Sequence, residues 1–170
     1  MRKPELTILF LLLTTISCAQ QADFDLKNIK FGEVEFISTK ALITKLFGQA
    51  KKVETNYECG FFTNDQPDGP YYQLVYTGFN FIGSDKGKFF LETVSFDLKG
   101  QIKFNYLGNE LNGRTSKEDF VKIFGGKAKD YFVEHPDSDT LILHSKDTDD
   151  GARFTFKNGR LFKFEYWTPC

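Results

Sequence analysis

Apolar residues recur at helical spacing in two short and similar stretches of the chain. In residues 38–48, Leu42, Ile43, Leu46 and Phe47 fall on one side of a predicted helix. In residues 115–125, the same side is formed by Phe120, Val121, Ile123 and Phe124. Each stretch ends in Phe-Gly, which is typical of a last apolar contact followed by a left-handed residue. Because helices this short are marginal alone in water, we expect both to dock on the strands that follow them.

Polar residues at the start of each stretch predict where the helices begin. Thr115 is a suitable N-cap, and Glu118 three residues later completes a capping-box pattern. Ser38 can cap the earlier helix, but Ala41 cannot close such a box.

Runs of aromatic and β-branched residues between turn residues predict antiparallel strands after each helix. In the first half a short strand at 31–37 precedes the helix, and an extended segment and strands follow it at 51–62, 71–76, 79–82, 89–96 and 101–107. In the second half, residues 128–133 take the place of the extended segment, and strands follow at 140–145, 152–157 and 160–167. Asn158-Gly159 between the last two is the strongest hairpin signal in the chain.

The two halves therefore follow one plan, a helix and then about three antiparallel strands. No low-complexity linker separates residues 31–107 from residues 108–170. We predict one α+β domain over 31–170, in which two tandem repeats form a single continuous sheet with both helices on one face.

Alternation along the last strands predicts which face of that sheet is buried. The apolar set expected under the helices is Phe154, Phe156, Phe162, Phe164 and Tyr166. The opposite face is then polar with scattered aromatic residues, a composition typical of protein-binding surfaces. The candidate binding residues on it are Lys103, His144, Lys163, Glu165 and Trp167. The alternative for Trp167 is that it only covers the edge of the sheet.

The first 17 residues predict an export signal. Arg2 and Lys3 precede an apolar run that is shorter than the ~20 residues of a membrane-spanning helix. The sequence Thr-Ile-Ser-Cys ending at Cys18 resembles the lipobox of bacterial lipoproteins, although threonine stands where leucine is usual. The resemblance implies a signal peptide at 1–17, lipidation of Cys18, and a polar tether over 18–30. The protein would then be lipid-anchored in the bacterial cell envelope, on the periplasmic or cell-surface side. Ordinary secretory cleavage nearby, or an uncleaved anchor, is the alternative.

Charge and cysteine content narrow the class of partner. The chain has 22 Lys and Arg against 23 Asp and Glu, so it lacks the basic excess that nucleic-acid binding requires. Two cysteines follow Cys18, at Cys59 and Cys170. Outside the cytoplasm they could form a disulfide, although the sequence equally allows two unpaired thiols.

Motifs for catalysis or metal binding are missing. The two histidines, His135 and His144, are too few for a three-histidine zinc site, and the acidic turn at 147–151 lacks the spacing of a calcium loop. Phosphate-binding, dinucleotide-binding and serine-nucleophile patterns are absent as well. Glu92 and Glu165 form a carboxylate pair whose separation the sequence does not reveal. We therefore expect no catalytic residue, no metal and no cofactor.

Two tandem copies of a helix that ends in Phe-Gly, each followed by antiparallel strands, resemble the β-lactamase-inhibitor-protein-like fold. That fold is also similar to small outer-membrane lipoproteins of the barrel-assembly machinery. The resemblance covers residues 31–167 and implies a non-catalytic inhibitor or binding module that holds another protein on its open sheet face. Inhibitory loop residues cannot be matched, and the inhibitor's two disulfides need more cysteines than follow Cys18.

Two other functions stay open beside this hypothesis. One is a structural or assembly lipoprotein of the envelope, and the other is an unrecognised hydrolase acting on envelope polymers. Neither the partner protein nor the oligomeric state follows from the sequence.

Overall fold

The computed structural model describes residues 23–58, 60–63 and 65–170. The predicted signal peptide, Cys18 and Cys59 lie outside the described residues. Within them the chain is α+β, as predicted, with three helices and two antiparallel sheets. No helix in this part of the chain is long and apolar enough to cross a membrane.

A 3-10 turn at Leu26–Asn28 precedes the first strand. In chain order the elements are then β1 (Ile29–Phe31), β2 (Val34–Glu35), β3 (Ile37–Ser38), α1 (Lys40–Phe47), β4 (Lys51–Glu54), β5 (Tyr72–Tyr76), β6 (Phe79–Gly83), β7 (Phe89–Ser95), β8 (Lys103–Tyr106), β9 (Asn109–Asn112), α2 (Lys117–Phe124), α3 (Gly126–Glu134), β10 (Thr140–His144), β11 (Gly151–Lys157) and β12 (Arg160–Trp167).

The larger sheet joins the two halves of the chain. Its strands run in the order β10-β11-β12-β7-β6-β5-β4, and the short β3 also pairs with β7. The halves meet where β12, the last strand of the second half, lies beside β7 of the first half, with Phe164 opposite Val94. The predicted hairpin is confirmed, because Asn158 and Gly159 both have the positive φ that its tight turn requires.

A second, four-stranded sheet replaces part of the single sheet that the sequence predicts. Its order is β2-β1-β8-β9, so the prediction of one continuous sheet is wrong. Leu107 and Gly108 have φ values of 49° and 85°, and they turn β8 back onto β9 as a hairpin. β8 then pairs with β1 at the start of the domain, with Tyr106 opposite Ile29.

Aromatic rings fill the core between the larger sheet on one side and the small sheet and helices on the other. Phe104 of the small sheet lies 5.3 Å from Phe164 of the larger sheet, measured between ring centroids. Phe120 of α2 packs 4.8 Å from Phe154. Phe47 of α1 packs 5.0 Å from Phe79. Both predicted helices therefore dock on the strands as expected.

Helices α1 and α2 have the predicted kinds of N-cap and C-terminal residue, but each N-cap is one residue later than predicted. Thr39 and Ser116 are the N-caps, and their side chains accept from the backbone N–H of Leu42 and Asp119. The hydroxyl of Thr115, predicted as the cap, instead accepts from the backbone N–H of Asn112 at 3.1 Å. The glycine that ends each of these helices has positive φ, as predicted: 81° at Gly48 and 69° at Gly125.

Two other segments differ from the prediction. Residues 126–134 form the helix α3 where an extended segment was expected, because Ala128 is buried and Phe132 packs on Phe156. The residues predicted as a polar tether belong to the core from Phe24 onward, since Phe24, Leu26 and Ile29 are all buried.

A register shift between β11 and β12 changes which residues of β12 face the core. Thr155 lies opposite Lys163, but the next residue, Phe156, lies opposite Leu161, so Phe162 is an extra residue in the strand. Leu161 is therefore buried and Phe162 is 43% exposed, the reverse of the sequence prediction. Phe154, Phe156 and Phe164 lie in the core, as expected.

Candidate functional site

Four of the five predicted binding residues lie together on the face of the larger sheet that points away from the helices, which we call the outer face. His144, Gly151 and Trp167 are aligned across three neighbouring strands. The rings of His144 and Trp167 meet edge to face, with centroids 5.1 Å apart. Lys163 and Glu165 follow on the same face of β12 and form an ion pair at 2.8 Å.

Lys103 does not belong to this group. It lies on β8 in the small sheet, where its ammonium pairs with Glu110 at 2.6 Å. The sequence correctly predicted that Lys103 points away from Phe104. It could not show that this strand belongs to another sheet.

Part of the outer face is covered rather than open. The described residues that connect β4 to β5 lie across strands β5 to β7 and bury a small apolar cluster. In this cluster Phe62 and Tyr71 of the connection pack with Ile82 of the sheet, and Phe90 lies against them. The part of the outer face formed by β10, β11 and β12 lies outside this cover, and we call it the exposed part of the outer face.

Glu92 lies at the border between the covered and the exposed part. A register shift between β6 and β7 makes it an extra residue of β7, so it sits beside Thr93. Its carboxylate accepts from the Tyr57 hydroxyl, from the Gln73 amide at 2.8 Å and from the Asn80 amide at 2.7 Å. These bonds tie the β4–β5 connection to the sheet.

Burial decides the protonation behaviour of Glu92. Loss of hydration raises the pKa of this carboxyl above its ordinary value, although its three hydrogen-bond donors pull in the other direction. Repulsion from Glu165 adds to the increase. Burial also raises the pKa of Tyr57, and its hydrogen bond to Glu92 does the same.

A cleft of about 340 Å³ opens beside Glu92. It is lined by Tyr57, Phe61, Phe62, Glu92, Arg153, Tyr166, Trp167, Thr168 and Cys170. We call it the Arg153 cleft, because Arg153 is half-buried there and its guanidinium makes no hydrogen bond or ion pair with any described residue. Glu165 is its neighbour across the strands, but the carboxylate of Glu165 is held by Lys163 instead.

Cys170 is disulfide-bonded at one wall of this cleft. Its predicted partner, Cys59, lies outside the described residues, so the pairing stays a prediction. A side chain at the next residue, Gly60, would have its Cβ 3.3 Å from Thr168, which shows that the β4–β5 connection and the C-terminal residues lie in contact.

The arrangement is suited to binding. Both carboxylates of the pair noted in the sequence are engaged, Glu92 by three donors and Glu165 by Lys163. Among the described residues, no three His, Cys, Asp or Glu side chains are grouped closely enough to hold a metal ion. Among the described side chains that line the cleft, Arg153 is the charged group with no hydrogen bond or ion pair to another described residue.

The raised pKa of Glu92 makes a pH effect on stability measurable. Folding favours the protonated carboxyl, so this contribution is fully present below the ordinary pKa of 4.5 and is lost as the pH rises through the raised value. In the unaltered protein, we expect Glu92 to lower the free energy of unfolding as the pH rises. Glu92→Gln should abolish this decrease, as measured by urea denaturation between pH 4 and pH 8. Glu110→Gln is the control, since Lys103 lowers the pKa of Glu110 and its small contribution has the opposite sign. Identical pH profiles for Glu92→Gln and the unaltered protein would contradict this prediction.

Comparison of the chain with known proteins finds no match. No protein family matches the chain, and no curated protein or solved structure matches it either.

Proposed function

We propose that this chain is a membrane-anchored, extracytoplasmic lipoprotein that binds another protein through the exposed part of its outer face and has no catalytic role. The observation that carries the proposal is the group formed on β11 and β12 by Arg153, Lys163, Glu165 and Trp167. Binding surfaces are enriched in tryptophan and arginine, which contribute most when they sit in partly closed pockets. Trp167 and Arg153 both line such a cleft.

The location in the envelope rests on two observations. The first is the resemblance of the sequence before Cys18 to a lipobox. The second is the disulfide of Cys170, since disulfides persist in oxidising compartments outside the cytoplasm.

We also propose that the two halves are tandem copies of one unit. The strands of the larger sheet run outward from the β7–β12 contact in the same antiparallel manner on both sides. Before each set of strands stands an eight-residue helix with a Ser or Thr cap and a Phe-Gly end. This arrangement supports the similarity to β-lactamase-inhibitor-like binding proteins, although α3 has no counterpart in the first half.

The binding proposal is tested by capture of a partner from envelope extract with residues 19–170, which contain every described element. We expect Trp167→Ala and Lys163→Glu each to lower the affinity for the captured protein by about tenfold or more while the fold is retained. Lys103→Glu is the matched control, because it changes an exposed lysine of the small sheet and should leave binding unchanged. Full binding by both folded outer-face variants would exclude this surface.

An assembly role at the membrane is the second candidate, and the early entry of the chain into the core favours it. Only five residue steps separate Cys18 from Asp23, so a lipid on Cys18 would hold the domain within about 17 Å of the bilayer. For an assembly protein, Cys18→Ala abolishes function in cells although the soluble domain still binds its partner. Full function of the unanchored protein in cells would argue against this role.

A further inference from the structure

Within the part of the chain that the structure describes, one cation of the Arg153 cleft has no ion-pair partner. The Lys163 ammonium lies 2.8 Å from the Glu165 carboxylate, so these two charges compensate each other. The carboxylate of Glu92 is occupied by the hydroxyl of Tyr57 and two side-chain amides. Arg153 has no such contact within the described part of the chain. A half-buried guanidinium presents a fork of N–H donors, which matches the two oxygens of a carboxylate.

Aromatic side chains form most of the remaining lining of the cleft, together with Thr168 and Cys170. Trp167 lies on one side, and Phe61, which is 49% exposed, stands at the rim. At about 340 Å³ the cleft lies near the lower end of the range for small-molecule sites, so it suits one residue rather than a long segment. A suitable ligand therefore combines an anionic carboxylate and an apolar group within a very short distance.

We propose that the Arg153 cleft binds the C-terminal end of a partner protein whose last residue is apolar. The α-carboxylate of that residue pairs with the guanidinium of Arg153, and its side chain lies against Trp167 and Phe61. A chain terminus carries both groups on one Cα atom, whereas an Asp or Glu side chain brings a carboxylate without an apolar group. The inference rests on the proposed function and names the part of the partner that this surface recognises.

Trp167 makes the proposal directly measurable, since it is the single tryptophan of the chain. The probe is N-acetyl-leucine, and its amide, N-acetyl-leucinamide, is the matched compound without the charge. We expect saturable quenching or enhancement of Trp167 fluorescence by the acid, with about tenfold or greater preference over the amide, because one charge-assisted pair is lost. N-acetyl-glutamate 1-amide, which carries only a side-chain carboxylate, should bind as weakly as the leucine amide.

Variants of two arginines complete the test. Arg153→Gln should abolish the preference for the acid over the amide. Arg160→Gln should keep it, because the guanidinium of Arg160 is bonded to the carbonyl of Arg114 at the far end of the hairpin. Equal binding of acid and amide, or an unchanged preference in folded Arg153→Gln, would overturn the proposal. If fluorescence does not respond, the indole N–H signal of Trp167 in a ¹⁵N NMR titration decides, and no shift with either compound also overturns it.

The outcomes separate this inference from the proposed function. In one outcome, Trp167→Ala abolishes binding of the partner protein but Arg153→Gln binds it with full affinity. The outer face would then still be the binding surface, and only the carboxylate site would be excluded. In the opposite outcome, binding of N-acetyl-leucine depends on Arg153, but no outer-face variant changes capture of the partner protein. The carboxylate site would then stand, and the outer face would be excluded as the surface that binds the partner.

Discussion

Replacing Phe154 by alanine is expected to lower the free energy of unfolding by about 3–5 kcal/mol. Phe154 is fully buried. Its ring packs against those of Phe24, Phe104, Phe120, Phe124 and Phe164. These rings come from the N-terminal segment, the small sheet, α2 and the larger sheet, so no single element can move to fill the space that the ring leaves. Urea denaturation followed by circular dichroism measures the loss.

Phe162→Ala is the control for this prediction. Phe162 belongs to the same hairpin but is 43% exposed because of the register shift in β12. We expect a loss below about 1 kcal/mol, as is usual for a substitution at an exposed position. Similar losses for both variants would contradict the register shift and restore the simple alternation that the sequence predicts.

The second large effect is expected at the disulfide of Cys170. Cys170→Ser should lower the free energy of unfolding by about 2–4 kcal/mol, since the crosslink restricts the unfolded chain. If the partner is Cys59, the closed loop is on the order of 100 residues long, which places the loss near the upper end of that range. The measurement is urea denaturation of residues 19–170 without reductant.

Two controls identify the pairing. Cys59→Ser should cost as much as Cys170→Ser, and the double variant should cost no more than either, because both remove the same bond. Reductant should bring the unaltered protein to the stability of the variants. Unequal or additive losses would show that Cys59 is not the partner.

Local patterns predicted α1, α2 and most strands well, but not α3. The spacing of Phe120 and Phe124 gives the buried side of α2, and the positive φ of Gly125 ends it where the sequence indicated. Helix α2 begins one residue later than predicted, because Thr115 and Ser116 can each act as its N-cap. Only the folded structure shows that the Thr115 hydroxyl accepts from the backbone N–H of Asn112 instead.

Non-local pairing limited the rest of the fold prediction. Alternation around Phe104 correctly showed which side of β8 is buried. It could not show that β8 pairs with β1, more than 70 residues earlier, rather than with the strand before it. The small sheet and the separation of Lys103 from the other predicted residues both follow from that one pairing.

The site shows the same limit. The Asn158-Gly159 hairpin fixes the neighbours of Lys163, Glu165 and Trp167, so their common face could be predicted from the sequence. The hydrogen-bonded surroundings of Glu92 could not be predicted, because they depend on a register shift and on a connection that folds back over the sheet. Arg153 precedes the buried Phe154, so simple alternation also predicts that it lies on the outer face. That no described residue pairs with its guanidinium follows only from the structure, in which Lys163 holds Glu165.

The contact between β7 and β12 has a consequence for folding. Val94 and Phe164 are neighbours in the sheet but lie about 70 residues apart in the chain, whereas the hairpins on either side of them close locally. Long loops are costly to close, so we expect the two sets of hairpins to form first and their junction to form late. Until then each half exposes an unpaired strand edge that fits the other half of any copy. At high concentration during refolding, exchange of halves between two molecules is therefore the misassembly to which this topology is most prone.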